Sequence, residues 1–192
     1  MNTIKAIKER RSIMPDQFID KEISDETIDL ILDSANWAPT HKKTEPWRFK
    51  VLKGDSQANL GVFLANKFKE TSIKYSEFKF NKFKNNSIKA GAIIIICMQR
   101  DLKKIIPEWE EIAAVSMAVQ NIWLTATDLG IGGFWSSPKL IKYINEFTAL
   151  GEGERCLGFF YLGHYDKSLI EKRIPGPIQE KVIKLYKFKE SI

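Results

Sequence analysis

Apolar residues recur along the chain at changing intervals, and those intervals mark out the elements. Near the N-terminus, Ile4 and Ile7 share one side of a short helix that Asn2 or Thr3 can cap and that runs to about Arg10. Ser24 caps a second helix. Asp25 and Glu26 put negative charge in its first turn, where the backbone dipole favours it, and Ile28, Ile31, Leu32 and Ala35 keep the helical period until Pro39. Residues 47–53 (WRFKVLK) switch to alternation, the mark of a strand, which Gly54 and Asp55 close. Leu60, Phe63, Leu64 and Phe68 return to helical spacing. Residues 75–86, rich in Lys, Phe and Asn, follow neither period and read as a mobile excursion or a lid.

The second half is more apolar. Residues 92–98 (AIIIICM) form an unbroken, largely β-branched run, which predicts a strand buried on both faces. Residues 108–129 make the longest helical stretch, about 33 Å at 1.5 Å per residue. Its middle, 113–126, is apolar or small on most faces, so the helix is expected to be buried all round. In a chain this short, one way to bury it is against a second copy. Gly130, Gly132 and Gly133 follow, and Pro138 opens a short helix through about Phe147. Residues 155–162 (RCLGFFYL) predict another buried strand, ended by Gly163. Pro175, Gly176 and Pro177 make a turning or extended linker, and 182–188 (VIKLYKF) alternate as a final strand or arm. No repeat or internal boundary interrupts residues 1–192, which read as one domain. Helices come first, then strands and helices intermixed without regular βαβ alternation, an α+β pattern. No G-x-G-x-x-G follows a strand, which argues against a Rossmann dinucleotide domain.

Composition narrows the class. With 44% apolar and 28% charged residues over 192 positions, the chain has the profile of a soluble globular domain. Its longest apolar run falls far short of the roughly 20 residues a membrane helix needs, and its charged N-terminus lacks a signal peptide's apolar region, so a cytoplasmic protein is expected. The net charge of +6 suits a phosphate-bearing cofactor, and equally a solvated lysine surface. No basic block interleaved with stacking aromatics stands out beyond the short 79–84 segment, so neither nucleic acid nor membrane is expected as a partner. Cys97 and Cys156 lie in apolar runs and read as core residues. With His41 and His164 the only histidines, no metal site is expected.

Three stretches carry candidate chemistry. Arg10, Arg11 and Ser12 form a compact donor set suited to a phosphate; they could equally be cations facing their own helix's C-terminal dipole. Trp37 to His41, followed by Thr44 to Phe49, places two Trp and a His in a loop that could stack on a flat ligand or simply pack. Gly130 to Pro138 offers glycines for close backbone approach to a ligand and Ser136 and Ser137 as donors; a tight helix-to-strand turn would serve the glycines equally well. No Ser-His-Asp set or carboxylate pair is legible. A ligand cradle without an evident acid, base or nucleophile favours chemistry carried by a cofactor.

In this order and spacing, Arg10-Arg11-Ser12, Ala38-Pro39-Thr40-His41 with Pro46-Trp47-Arg48-Phe49, Gly130-Ile131-Gly132-Gly133-Phe134-Trp135, and Leu157-Gly158-Phe159-Phe160-Tyr161-Leu162-Gly163 resemble the nitroreductase family over nearly the whole chain. The likeness is closest to its small, single-domain NAD(P)H nitroreductases. The resemblance implies a three-layer α+β sandwich, its central, mostly antiparallel sheet flanked by helices. It implies an intertwined homodimer with one FMN per active site at the dimer interface, and ping-pong hydride transfer from NAD(P)H to a nitroaromatic or quinone-like acceptor. Arg10 and Ser12 would hold the FMN phosphate, with Arg11 contributing. Trp37 and His41 would reach FMN from the partner subunit. Trp135, Ser136 and Ser137 would contact the flavin or its phosphate from the first. Thr125, Ala126, Thr127, Asp128, Leu129 and Gly130 match a stretch assigned to nicotinamide cofactor binding in similar proteins, and Arg173 matches a phosphate-binding arginine. No residue is implied as catalytic acid or base. Two positions depart from many relatives: Met14 stands where a Lys or Arg faces the flavin pyrimidine edge, and Glu45 where Gln precedes Pro-Trp. Without a cation at position 14, a lower flavin potential is expected. Two other functions stay open: a flavoprotein of the same fold that fragments flavin or dehalogenates reductively, and a non-catalytic flavin binder or redox sensor.

Overall fold

The computed structural model describes residues 3–185. In chain order its elements are α1 (Thr3–Glu9), β1 (Phe18–Ile19), α2 (Asp25–Asp33), β2 (Trp47–Leu52), α3 (Asp55–Thr71), α4 (Glu77–Lys89), β3 (Ala92–Gln99), α5 (Glu108–Asp128), β4 (Ile131–Ser136) and β5 (Glu154–Tyr165), joined partly by 3-10 turns, of which Lys139–Glu146 is the longest. Every strand pairing is antiparallel, and β5 is the hub: it pairs with β3, with β4 and, at its C-terminal end, with β1, while β2 pairs with β3.

Alternation along the two central strands creates two apolar faces. Ile94, Ile96, Phe160 and Leu162 pack with α2 and α5 on one side. Ile93, Ile95, Phe159 and Tyr161 pack under α3 and the 139–146 turn on the other. The result is the expected three-layer α+β sandwich. Ile93 to Ile96 are completely buried, and burying such a side chain stabilises by about 1.5–3 kcal/mol relative to leaving it exposed. A register shift after Ile96 sets Cys97 opposite Cys156, and both thiols are buried in the sheet.

Several elements differ from expectation. Residues 75–86 do not form an excursion: most of them belong to α4, whose Ser76 Oγ accepts the Lys79 N–H (3.4 Å). The helix lacks a clean apolar stripe because its contact with α3 combines Phe80 and Phe83, packed against the Leu60–Phe68 face, with the small Ser87. A Cβ at Gly61 would lie 2.8 Å from Ser87 Cβ, so the glycine permits close approach of the two helices. The glycine cluster is not merely a turn. Gly130, at φ +76°, makes the turn, and Gly132 and Gly133 already belong to β4. Cβ atoms there would come within 2.9 Å of Ile13 and 2.6 Å of the Phe160 ring, so these glycines serve core packing rather than approach to a ligand. Residues 182–185, expected to begin a strand, form none, and 186–188 of that stretch lie outside the described residues. Among the described residues, no helix is long and apolar enough to cross a membrane.

Candidate functional site

After α1 the chain turns along the outer edge of β4. The Ile13 N–H donates to the Gly133 carbonyl (3.1 Å), and Ser12 pairs with Gly133 in a parallel bridge. Two stretches more than a hundred residues apart thereby become neighbours. Arg10 lies over the Trp123 ring of α5, 4.5 Å from its centroid, and the Trp123 indole N–H donates to the Arg11 carbonyl (3.1 Å). Arg11 donates to the carbonyls of Lys8 (2.7 Å) and Arg10 (2.8 Å) and, at 3.4 Å, of Glu171, which ties the C-terminal segment to the same corner.

Burial lowers the Arg10 pKa, and the nearby charges of Arg173 and Arg11 lower it further. Arginine keeps its proton regardless. The Arg10 guanidinium thus feels the like charges of Arg11 and Arg173, and among the described residues none of the three is ion-paired with a carboxylate. An anion at this corner would relieve their mutual repulsion, and a phosphate matches the fork geometry of arginine.

Along β4, side chains alternate between faces. Trp135 points to the α5 side over Gly158, where an added Cβ would meet its Nε1 at 2.4 Å. That indole N–H is buried without an acceptor, which costs about 1–3 kcal/mol. Phe134 and Ser136 point the other way, into a cavity of about 540 Å³ whose wall also includes Met14. Ser137 is exposed beside it. In the last turn of α5, Ala126 faces the core and the Thr127 hydroxyl donates to the Trp123 carbonyl (2.8 Å). Thr125 is half-buried, which leaves Asp128 and the C-cap Leu129 as the exposed residues of this helix end, ahead of Gly130.

Trp37 and His41 lie elsewhere. Trp37 is 80% exposed, and His41 Nδ1 sits 2.5 Å from Glu110 Oε2 at the N-terminal end of α5. From Glu110 to Trp123 that helix rises about 20 Å at 1.5 Å per residue. One chain therefore brings Arg10, Arg11, Ser12, Arg173, Trp135 and Ser136 to one region and holds Trp37 and His41 apart from it.

Sequence reasoning missed Trp123, which seats Arg10, and four lysines around the cavity mouth: Lys79 and Lys82 from α4, Lys139 and Lys142 from the facing 3-10 turn. Their i, i+3 spacing is visible in the sequence, but only the fold turns the two pairs toward each other. They surround the cavity that Met14 lines, so the cation missing at position 14 is not missing from its surroundings.

A sequence profile described as "Nitroreductase family" matches residues 7–164. The Bacillus subtilis protein named "Putative NAD(P)H nitroreductase YfhC" is 30% identical over 173 residues, covering 88% of each chain. A crystal structure of the nitroreductase-like family protein from Bacillus cereus superposes with a TM-score of 0.81 at 28% identity, covering 97% of both chains. The FMN-dependent nitroreductase NfnB from Mycobacterium smegmatis, solved in complex with NADPH, shares the fold at TM-score 0.75 and 16% identity, over 94% of this chain and 96% of that one.

Proposed function

Since the chain belongs to the nitroreductase family, we propose that it is an FMN-dependent homodimeric oxidoreductase, in which NAD(P)H and a nitroaromatic or quinone-like acceptor visit one site in turn. The observation that carries this reading is the cluster of three guanidiniums without acid partners beside Ser12, on the edge of the strand whose other residues enter an aromatic cavity. The donor set fits a phosphate, and a cavity lined by Phe83, Phe134, Tyr143 and Tyr161 fits a flat ring system.

Bound FMN would supply hydride relay between donor and acceptor, chemistry that no side chain here offers. The chain's own part is placement. Arg10, Arg11 and Arg173, with Ser12, would hold the phosphate; Ser136 and Ser137 would border the ring; the aromatic walls would enclose the space that donor and acceptor enter in turn. No His, Asp, Glu or Cys lines the cavity, so alignment of the bound partners governs the rate. Because α4 forms one wall of the cavity and does not close it, the non-catalytic reading gains no support.

Three features favour the dimer. Trp37 and His41 are separated from the arginine corner by most of the length of α5 and would complete it from a second chain. Trp109 (67% exposed) and Met117 (40%) leave an apolar strip open on that helix. Ile174, Ile183 and Leu185 are more than three-quarters exposed on a C-terminal segment that packs little against its own body.

The purified protein is expected to be yellow, to bleach with NADPH under argon, and to regain colour with a nitroaromatic. Arg10→Ala and Arg173→Ala should each raise the FMN Kd roughly tenfold or more, since a hydrogen bond to a charged group contributes about 1.5–3 kcal/mol. A colourless protein that takes up no FMN overturns the reading.

A further inference from the structure

The cavity beside Met14 has a charge pattern that the proposed function does not require. Its floor and walls are aromatic, with Phe83, Phe134 and Tyr143 among them, while its mouth carries Lys79, Lys82, Lys139 and Lys142. The first pair lies three residues apart on α4 and so shares a helix face. The second lies three apart on a 3-10 turn, where side chains at that spacing eclipse. No Asp or Glu lines the cavity. Among the described residues none of the four lysines is ion-paired, although Lys67, 5.8 Å from the Tyr143 ring, holds both Glu70 (2.9 Å) and Glu146 (2.6 Å). Lys142 instead lies 4.8 Å from the centroid of the Tyr143 ring. Four unneutralised cations around an apolar hole draw in a ligand that is flat at its centre and negative at its edge.

We propose that the acceptor is an anionic aromatic compound, a nitroarene or quinone bearing a carboxylate or sulfonate, with its ring between the aromatic walls and its anionic group held by the lysine rim. This rests on the FMN reading for the redox step. For a nitroarene the balance is ArNO₂ + NAD(P)H + H⁺ → ArNO + NAD(P)⁺ + H₂O: the nicotinamide gives up a hydride, one N–O bond breaks, and the oxygen leaves as water. The rim takes no part in bond making. It selects, and it orients the nitro group inward by holding the charge at the mouth.

The test is equilibrium dialysis of 4-nitrobenzoate against its neutral counterpart 4-nitrobenzamide on the oxidised protein, with and without FMN, for wild type and for Lys82→Met/Lys142→Met. Wild type is expected to prefer the carboxylate about fivefold to tenfold, the scale that solvent-exposed charges allow. The double variant, compared with wild type at equal FMN occupancy, should lose most of that preference. Raising salt from about 50 mM to about 500 mM should shrink the wild-type preference, because it shortens the screening length severalfold. Equal affinity for the two compounds overturns the inference. So does a double variant that loses affinity for NADPH relative to NADH but keeps its preference for the carboxylate, which reassigns the lysines to the donor's extra phosphate. Dialysis needs no turnover, so the two readings fail separately. A protein without FMN uptake overturns the proposed function, and a yellow protein without anion preference overturns only this inference.

Discussion

Replacing Gly133 by alanine probes the joint between the sandwich core and the arginine corner. The new Cβ would lie 2.6 Å from Phe160 Cζ and 3.0 Å from Trp123 Nε1. Carbon atoms in contact prefer about 3.5–4.0 Å, so the ring must retreat by about 1 Å. Phe160 is completely buried and meets Trp123 edge-on, with centroids 5.1 Å apart, so neither can move alone. Overpacking of this kind costs about 1–3 kcal/mol. At roughly 2–4 °C per kcal/mol for a domain of this size, Tm should fall by about 2–12 °C. Trp123 also seats the Arg10 guanidinium and donates to the Arg11 carbonyl, so its displacement reaches the arginine corner. Losing one charge-assisted hydrogen bond there, about 1.5–3 kcal/mol, raises the FMN Kd by roughly ten- to a hundredfold. Thermal unfolding by circular dichroism and FMN titration by fluorescence read the two effects. Gly130→Ala is the control: its φ of +76° strains an alanine, but the nearest obstacle is the Lys167 side chain at 3.7 Å, so stability should drop while FMN affinity holds. A Gly133→Ala protein with wild-type Tm and wild-type FMN affinity would refute the coupling.

Two further outcomes are expected. Trp37→Ala removes a side chain exposed on its own chain, so the protomer should still fold, yet FMN binding should weaken; mixing its chains with those of Arg10→Ala should regenerate an intact site in each mixed dimer, and absence of restored tight binding would count against a site shared between subunits. For Glu154, burial pushes the carboxyl pKa up, but hydrogen bonds from the Gly151 N–H (2.7 Å) and the Lys50 ammonium (2.7 Å) outweigh it and leave the value lowered. A lowered folded-state value stabilises above the unfolded carboxyl's ordinary value of about 4.3, and that stability is lost as pH falls through the folded value. Glu154→Gln should therefore flatten the acid limb of a Tm-against-pH curve, and an unchanged limb would rule this carboxylate out as a contributor.

Elements whose burial is carried by their own side chains were legible in the sequence. The Ile93–Ile96 run, the Phe159–Leu162 run and the Ser24-capped helix announce themselves because period and burial coincide. Residues 77–89 did not, since Phe78 faces solvent at 75% exposure while Ser87, a polar residue, makes the buried contact. Strand β4 was obscured for a related reason: its glycines are dictated by Ile13 and Phe160, residues distant in sequence. Of the site, the arginines and Ser12 were visible as a donor set, and the resemblance supplied their ligand. Seating Arg10 on Trp123 and facing Lys79 and Lys82 with Lys139 and Lys142 are products of tertiary folding, which no local period records.

The meeting of Gly61 with Ser87 carries a consequence for which molecules can enter. Those two small residues set how far α4 stands from α3, and α4 is the wall that bears half of the lysine rim. A bulkier residue at either position would swing that wall outward like a wedge under a door. The bore of the entrance is thus adjustable from behind, by a residue that no incoming compound ever touches, while the chemistry of the lining stays as it was.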